Sequence, residues 1–211
     1  MILNEKNFIR SCLAGAMIGI GGVAYLAVDN KYVGAFLFSI GLYCVLQFDF
    51  NLYTGKCGRI HNFRTLGVCL VYLFGNMIGA IGIALILNTS PELTAKASAI
   101  MDAKMSHPLI QTFGLACMCG IMMMIAVDLY NHPKNEAKNP LLTIMPIMVF
   151  ILSGYEHSVA NFFYWLMAYE RTITINDLWF LLVCVLGNTV GSLLFVIFKK
   201  TGSETRRGFD L

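Results

Sequence analysis

The chain has 211 residues, 57% of them hydrophobic and 13% charged, with a mean hydropathy of +0.69. That balance excludes a soluble globular domain and indicates a polytopic membrane protein. The net charge of +3 says little by itself, because orientation depends on which connecting segments hold the lysines and arginines.

Met1 to Arg10 carries charges but no short apolar core with a small-residue cleavage site, so no signal peptide is expected. Six apolar segments follow, at approximately 11–28, 32–52, 66–87, 109–130, 140–169 and 178–198. Each is near the roughly 20 residues that a helix needs to cross a bilayer. The first is rich in glycine (Gly15, Gly19, Gly21, Gly22), which suits close helix–helix packing. The longest connection, 88–108, holds Pro91, Leu93, Ala97 and Ile100 in a pattern that predicts a short surface helix. The seven cysteines fall mostly in apolar runs without metal spacing and read as small hydrophobes.

With six crossings, one set of ends and loops holds Lys6, Arg10, Lys56, Arg59, Arg64, Lys134, Lys138, Lys199, Lys200, Arg206 and Arg207. The opposite set holds Lys31, Lys96, Lys104 and Arg171. Eleven against four predicts cytoplasmic termini and a multi-pass protein of the inner (plasma) membrane.

Two segments carry signs of interruption. The second ends in Gln47-Phe48-Asp49-Phe50-Asn51-Leu52-Tyr53-Thr54-Gly55-Lys56. Asp49 and Asn51 within an aromatic run suggest a helix that stops inside the membrane, at about 49–56. An ordinary helix end, with Gly55 as cap and Lys56 near the negative end of the dipole, would account for the same residues. The fifth segment is too long for one straight helix and holds Ser153-Gly154-Tyr155-Glu156-His157-Ser158-Val159-Ala160-Asn161 at its centre. Ionisable side chains in hydrocarbon are costly and mark function, and broken backbone survives there only when it lines a polar cavity. A break is expected at about 155–161, with Glu156 capping a helix end.

Gly75-Asn76-Met77-Ile78-Gly79 in the third segment matches Gly187-Asn188-Thr189-Val190-Gly191 in the sixth. Each follows a suspected break, by 26 residues from Asp49 and 31 from Glu156. Paired breaks in corresponding halves point to an inverted repeat with its site at the midplane. The reading is one all-α transmembrane domain over 1–211. Its six helices form two inverted three-helix repeats, approximately 8–87 and 109–198, and the interrupted crossings are the second and fifth. Such an architecture belongs to channels and transporters. No nucleophile–base pair, phosphate loop or metal set supports an enzyme, a cofactor or a nucleic-acid partner.

Gly154-Tyr155-Glu156-His157-Ser158-Val159-Ala160-Asn161-Phe162-Phe163, with Leu52-Tyr53-Thr54-Gly55 and both G-N-x-x-G elements, resembles the formate/nitrite transporter family. The resemblance runs over nearly the whole chain. It implies an aquaporin-like fold, a homopentamer with one pore per protomer, and passage of small monovalent weak-acid anions, as a channel or together with a proton. By motif, His157 resembles the central pore histidine and Thr54 its partner in the loop interrupting helix two. Asn188, with Glu156 and Asn161, would belong to the polar groups of the pore. Leu52 and Leu42 would form the cytoplasmic hydrophobic constriction, Phe38 and Phe150 the outer one, and Lys104 the vestibule lysine.

Two departures bear on substrate identity. Cys119-Gly120-Ile121 stands where the family usually has an asparagine in helix four. Asp49 and Asn51 stand where small and acidic residues usually precede the L-(F/Y)-T-G loop. Formate is the leading substrate, with nitrite or hydrosulfide as alternatives; a regulatory or scaffold protein that kept the fold without transport is the reading from another class. The chemistry suits weak acids. Desolvating a charge costs far more than desolvating a neutral polar group, and histidine can exchange a proton near physiological pH. A lysine at the mouth raises the local anion concentration. The twin Asn-Pro-Ala loops of a neutral-solute pore are absent from the sequence.

Overall fold

The computed structural model describes residues 4–87, 90–132, 135, 137–168 and 174–207, with side chains to Thr201. Lys134 and Arg171 lie outside the described residues, and the side chains of Arg206 and Arg207 are likewise not described. Among the described residues the regular structure is helical: α1 (Glu5–Leu26), α2 (Lys31–Gln47), α3 (Phe63–Leu87), α4 (Pro91–Met105), α5 (Leu109–Tyr130), α6 (Leu141–Leu152), α7 (Ser158–Met167) and α8 (Ile175–Arg207). Two short 3-10 turns, Tyr53–Gly55 and Cys57–Arg59, lie between α2 and α3.

Local sequence sets the helix starts. Asn4 Oδ1 accepts from Asn7 N–H at 2.8 Å, and Asn30 Oδ1 accepts from Tyr32 N–H at 3.0 Å, so both asparagines act as N-caps. Pro91 opens α4, where its missing N–H and fixed φ are harmless. Helices α1, α3, α5 and α8 are each long and apolar enough to cross a membrane. Helices α2 and α6 are apolar but shorter, at 17 and 12 residues. Large apolar side chains such as Phe74, Leu85, Ile86, Ile110 and Met145 point outward, as lipid-facing positions require.

Each helix expected to be interrupted is interrupted, and both end in the same device. After α6, Gly154 adopts a left-handed conformation (φ 67°), Tyr155 N–H bonds to Phe150 O at 2.9 Å and Gly154 N–H to Ile151 O at 3.1 Å. After α2, Asp49 takes the left-handed place (φ 52°), Phe50 N–H bonds to Val45 O at 2.8 Å and Asp49 N–H to Leu46 O at 3.3 Å. These are two Schellman endings. Gly55 is therefore not the cap of α2; it sits in the 3-10 turn six residues beyond Asp49. The second break is also shorter than the expected 155–161, because α7 starts at Ser158.

Helix pairing repeats as well. A Cβ on Gly79 would lie 1.8 Å from Cys12 O, and one on Gly191 would lie 1.9 Å from Cys117 O. A Cβ on Gly15 would lie 1.9 Å from Asn76 O, and one on Gly120 2.3 Å from Asn188 O. The α1–α3 and α5–α8 pairs thus approach at backbone distance through small residues placed alike. The helix expected on the surface over 88–108 is α4. It is not merely superficial: Thr94, Ala97 and Met101 are buried as it packs over α7. Lys96 also ties it to the α1–α2 turn, bonding Asp29 at 2.8 Å and holding that carboxyl below its usual range.

Candidate functional site

The backbone at each break is extended and would be orphaned without partners. One asparagine satisfies it in each half. Asn76 Nδ2 donates to Ser11 O (2.8 Å) and Asn51 O (2.9 Å), and its Oδ1 accepts from Tyr53 N–H (2.8 Å). Asn188 Nδ2 donates to Ala116 O (2.9 Å) and Glu156 O (2.7 Å), and its Oδ1 accepts from Ser158 N–H (2.8 Å). Both side chains are fully buried and spend their amides on the main chain. The residue bracketed by each clamp is Leu52 in the first break and His157 in the second.

His157 is 1% exposed and serves two neighbours. Its Nδ1 accepts from Ala160 N–H at 3.1 Å, capping α7, and its Nε2 lies 3.0 Å from Thr54 Oγ1. With Nδ1 accepting, the proton of the neutral ring sits on Nε2, which donates to Thr54. Phe150 stacks on the imidazole with ring centres 5.6 Å apart, and Phe38 meets Phe150 edge-on at 6.0 Å.

This buried group separates two cavities. One, of about 270 Å³, is lined by Phe38, Lys104, His107, Phe150, Glu156 and His157. The other, of about 110 Å³, is lined by Leu42, Leu52, Asp49, Lys56 and Arg59 among others. Helix α2 runs from one to the other, with Phe38 on the first and Leu42, about one turn on, at the second. Both leucines are 1% exposed.

Lys104 does not stand free at a mouth. Its Nζ lies 2.7 Å from Glu156 Oε2, and Asn161 Nδ2 donates to the same oxygen at 2.7 Å. The Glu156 side chain therefore caps no helix; it is fully buried as the partner of Lys104, and its Oε1 has no partner among the described residues. Asn188 is absent from the lining of the Lys104 cavity and acts through the backbone of Glu156 and Ser158. At the other cavity Asp49 meets Arg10 at 3.1 Å and Lys56 at 3.8 Å. Among the described residues no group of three or more His, Cys, Asp or Glu side chains is placed to hold a metal ion.

The protein-family model described as "Formate/nitrite transporter" matches residues 4–200. The chain belongs to the formate/nitrite transporter family. Among this family's characterised members it is 28% identical to the formate channel FocA of Haemophilus influenzae over 182 residues, covering 74% of this chain and 64% of that one. It is 25% identical to the nitrite transporter NirC of Salmonella typhimurium, covering 90% and 80% of the two chains. A pentameric formate channel solved with formate bound superposes with a TM-score of 0.83 at 26% identity, over 95% of this chain and 97% of that one. The chain thus spans slightly less than two thirds of the length of the formate-channel relatives. These relatives are channels and transporters rather than enzymes, and the apolar helices of the described residues make this chain, like them, a multi-pass membrane protein.

Of the residues singled out in the sequence, Phe38, Lys104, Phe150, Glu156, His157 and Asn161 line the larger of the two cavities, Leu42 and Leu52 line the other, and Thr54 bonds His157 between them. Sequence reasoning missed Asn76 as a site residue, although the repeated G-N-x-x-G motif pointed to it. His107 belongs to none of the sequence motifs, and the structure brings it to the lining of the Lys104 cavity.

Proposed function

We propose that the protein is a conduit for small monovalent weak-acid anions, formate first, with nitrite and hydrosulfide as the nearest alternatives. The observation that carries this reading is the buried Thr54–His157 pair, closed by phenylalanines towards one cavity and leucines towards the other. Two apolar collars oppose a hydrated ion, because a charge loses far more on desolvation than a neutral polar molecule does. Between them the Thr54–His157 hydrogen bond offers hydroxyl and imidazole groups to a small acid. In this reading His157 acts as a hydrogen-bonding group through Nε2. Protonating its other nitrogen would remove the acceptor that caps α7. Passage as the neutral acid, with its proton, follows from the same desolvation argument.

Lys104 draws anions to its cavity only to the extent that Glu156 leaves its charge uncancelled. The same reading places six crossings in two inverted repeats, supported by the duplicated clamps and glycine contacts. Both termini lie on the cytoplasmic side of the inner membrane, on the strength of the lysine and arginine bias. Assembly as a homopentamer follows the superposed channel.

The test is flux by purified protein in liposomes, comparing formate, nitrite, hydrosulfide and chloride. The expected result is passage of at least one weak acid well above empty liposomes, with chloride retained. A folded protein that passes none of them above empty liposomes would overturn the reading.

A further inference from the structure

The cavity beside Lys104 is far larger than formate needs. It measures about 270 Å³, against about 110 Å³ for the cavity on the other side of His157. An enclosed apolar cavity of about 150 Å³ is enough to take up benzene. By that measure the larger cavity has room for a benzene ring with a substituent, and the smaller one does not. Formate, a carboxyl group with no further carbon, leaves most of it unfilled.

The walls suit an aromatic ring. Tyr25, Phe38, Phe150, Tyr155 and Tyr164 all line the cavity. Tyr25 and Tyr164 lie with ring centres 6.4 Å apart and planes tilted by 57°, and Phe38 meets Phe150 edge-on at 6.0 Å. Aromatic rings attract one another in tilted and edge-on arrangements beyond what their burial contributes. A saturated ring of similar size gains the burial without that addition. The phenylalanine pair also closes the cavity towards His157, on which Phe150 stacks, so a ring that enters stops there.

Lys104 supplies a polar end. An ammonium group has three donors, and among the described residues Nζ spends one, on Glu156 Oε2 at 2.7 Å. The Lys104 side chain keeps 17% of its surface open, whereas that of Glu156 keeps none. Two donors therefore remain for carboxyl oxygens. Because Glu156 already balances the lysine's charge, a single carboxyl group suits the site better than a multiply charged anion, whose burial would go uncompensated.

We propose that the Lys104 cavity binds aromatic monocarboxylic acids, of which benzoate is the simplest, and that an acid bound there blocks the path. The carboxyl oxygens accept from Lys104 Nζ, and the ring lies among the tyrosines and rests on the Phe38–Phe150 pair. The binding site stands on the cavity alone; the block rests on the anion-conduit reading.

Two measurements on the full chain test it. The first is the fluorine NMR signal of para-fluorobenzoate added to the protein in nanodiscs, set against empty nanodiscs. The signal should broaden with the protein and sharpen again when excess benzoate displaces the probe. Affinity should fall several-fold in Ala103→Trp, an exposed position on α4 where the indole takes up cavity space, with thermal unfolding unchanged. It should fall likewise in the double variant Lys104→Met, Glu156→Gln, which removes the donor without stranding a charge. The second measurement is formate flux in liposomes at fixed pH. Benzoate should compete with formate without being carried, and cyclohexanecarboxylate, which crosses lipid as a weak acid in the same way, should compete several-fold less well. Probe binding unchanged in Ala103→Trp, equal competition by the two acids, or benzoate carried as fast as formate would overturn the inference. Wild-type protein that carries no weak acid would instead overturn the conduit reading, and the fluorine signal would still decide whether the cavity binds the aromatic acid.

Discussion

Between Gln47 and Tyr53, and again between Leu152 and Ser158, the chain ends a helix with a left-handed residue, runs extended under an asparagine clamp and restarts in helical form. The residues inside the two frames differ at each step. Asp49 stands opposite Gly154, Asn51 opposite Glu156 and Leu52 opposite His157. Asn51 donates to Asn7 O at 3.1 Å, an ordinary local tie, whereas Glu156 is ion-paired to Lys104 beside the larger cavity. The comparison separates what the frame needs from what the function needs. Clamp, cap and close helix approach are duplicated, and the histidine is not.

Removing a clamp should be the largest perturbation, and the duplication predicts that it hurts alike in both halves. Asn76→Ala orphans Asn51 O and Tyr53 N–H, and Asn188→Ala orphans Glu156 O and Ser158 N–H, two buried backbone groups in each half at about 1–3 kcal/mol per group. Unfolding in detergent, followed by temperature or denaturant, should show a loss of several kcal/mol or failure to assemble for both. A severe effect in one half with a mild one in the other would break the equivalence of the frames.

The next effect belongs to the second break alone. Lys104→Met strands the buried Glu156 carboxylate, at a cost of about 3–5 kcal/mol. Adding Glu156→Gln should recover most of that loss, since the neutral amide needs no counter-charge. A double variant no more stable than Lys104→Met would show that the pair is not the reason for the single variant's defect.

The smallest effect concerns the left-handed caps. Asp49→Gly relieves about 1 kcal/mol of left-handed strain and gives up surface ion pairs worth about 0–1 kcal/mol. Stability should stay within about 0.5 kcal/mol of wild type, the usual range for surface changes. Gly154→Ala, with the same backbone and no ion pair to gain, should cost about 1 kcal/mol or more. Thermal shifts of equal size and sign in the two variants would deny that Asp49 substitutes for the glycine of the other half.

Much of this was legible in the sequence because membrane burial makes polar residues conspicuous. Glu156, His157 and Asp49 could not sit in continuous hydrophobic helices, so the breaks announced themselves. What they do there was less legible, because it depends on contacts between distant segments. The Lys104–Glu156 pair spans 52 residues. The clamps span 25 and 32, and their motif showed repetition without showing that the amides hold backbone. The left-handed Asp49 was hidden because Gly55, nearby, is the usual signal for a helix end. His107 was hidden because only the packing of α4 over α7 brings the α4–α5 turn to the Lys104 cavity.

The central claim is that one imidazole, set in a frame the other half fills with leucine, makes the path passable to weak acids. His157→Leu tests it most directly, because it gives both breaks the same residue. The loss of the α7 cap should cost about 1 kcal/mol, which a melting curve and gel filtration would register without loss of the assembled protein. Formate flux in liposomes should then fall to the level of empty vesicles, because the imidazole that bonds Thr54 is replaced by an apolar side chain. Formate flux at the wild-type rate in an intact His157→Leu protein would contradict the account.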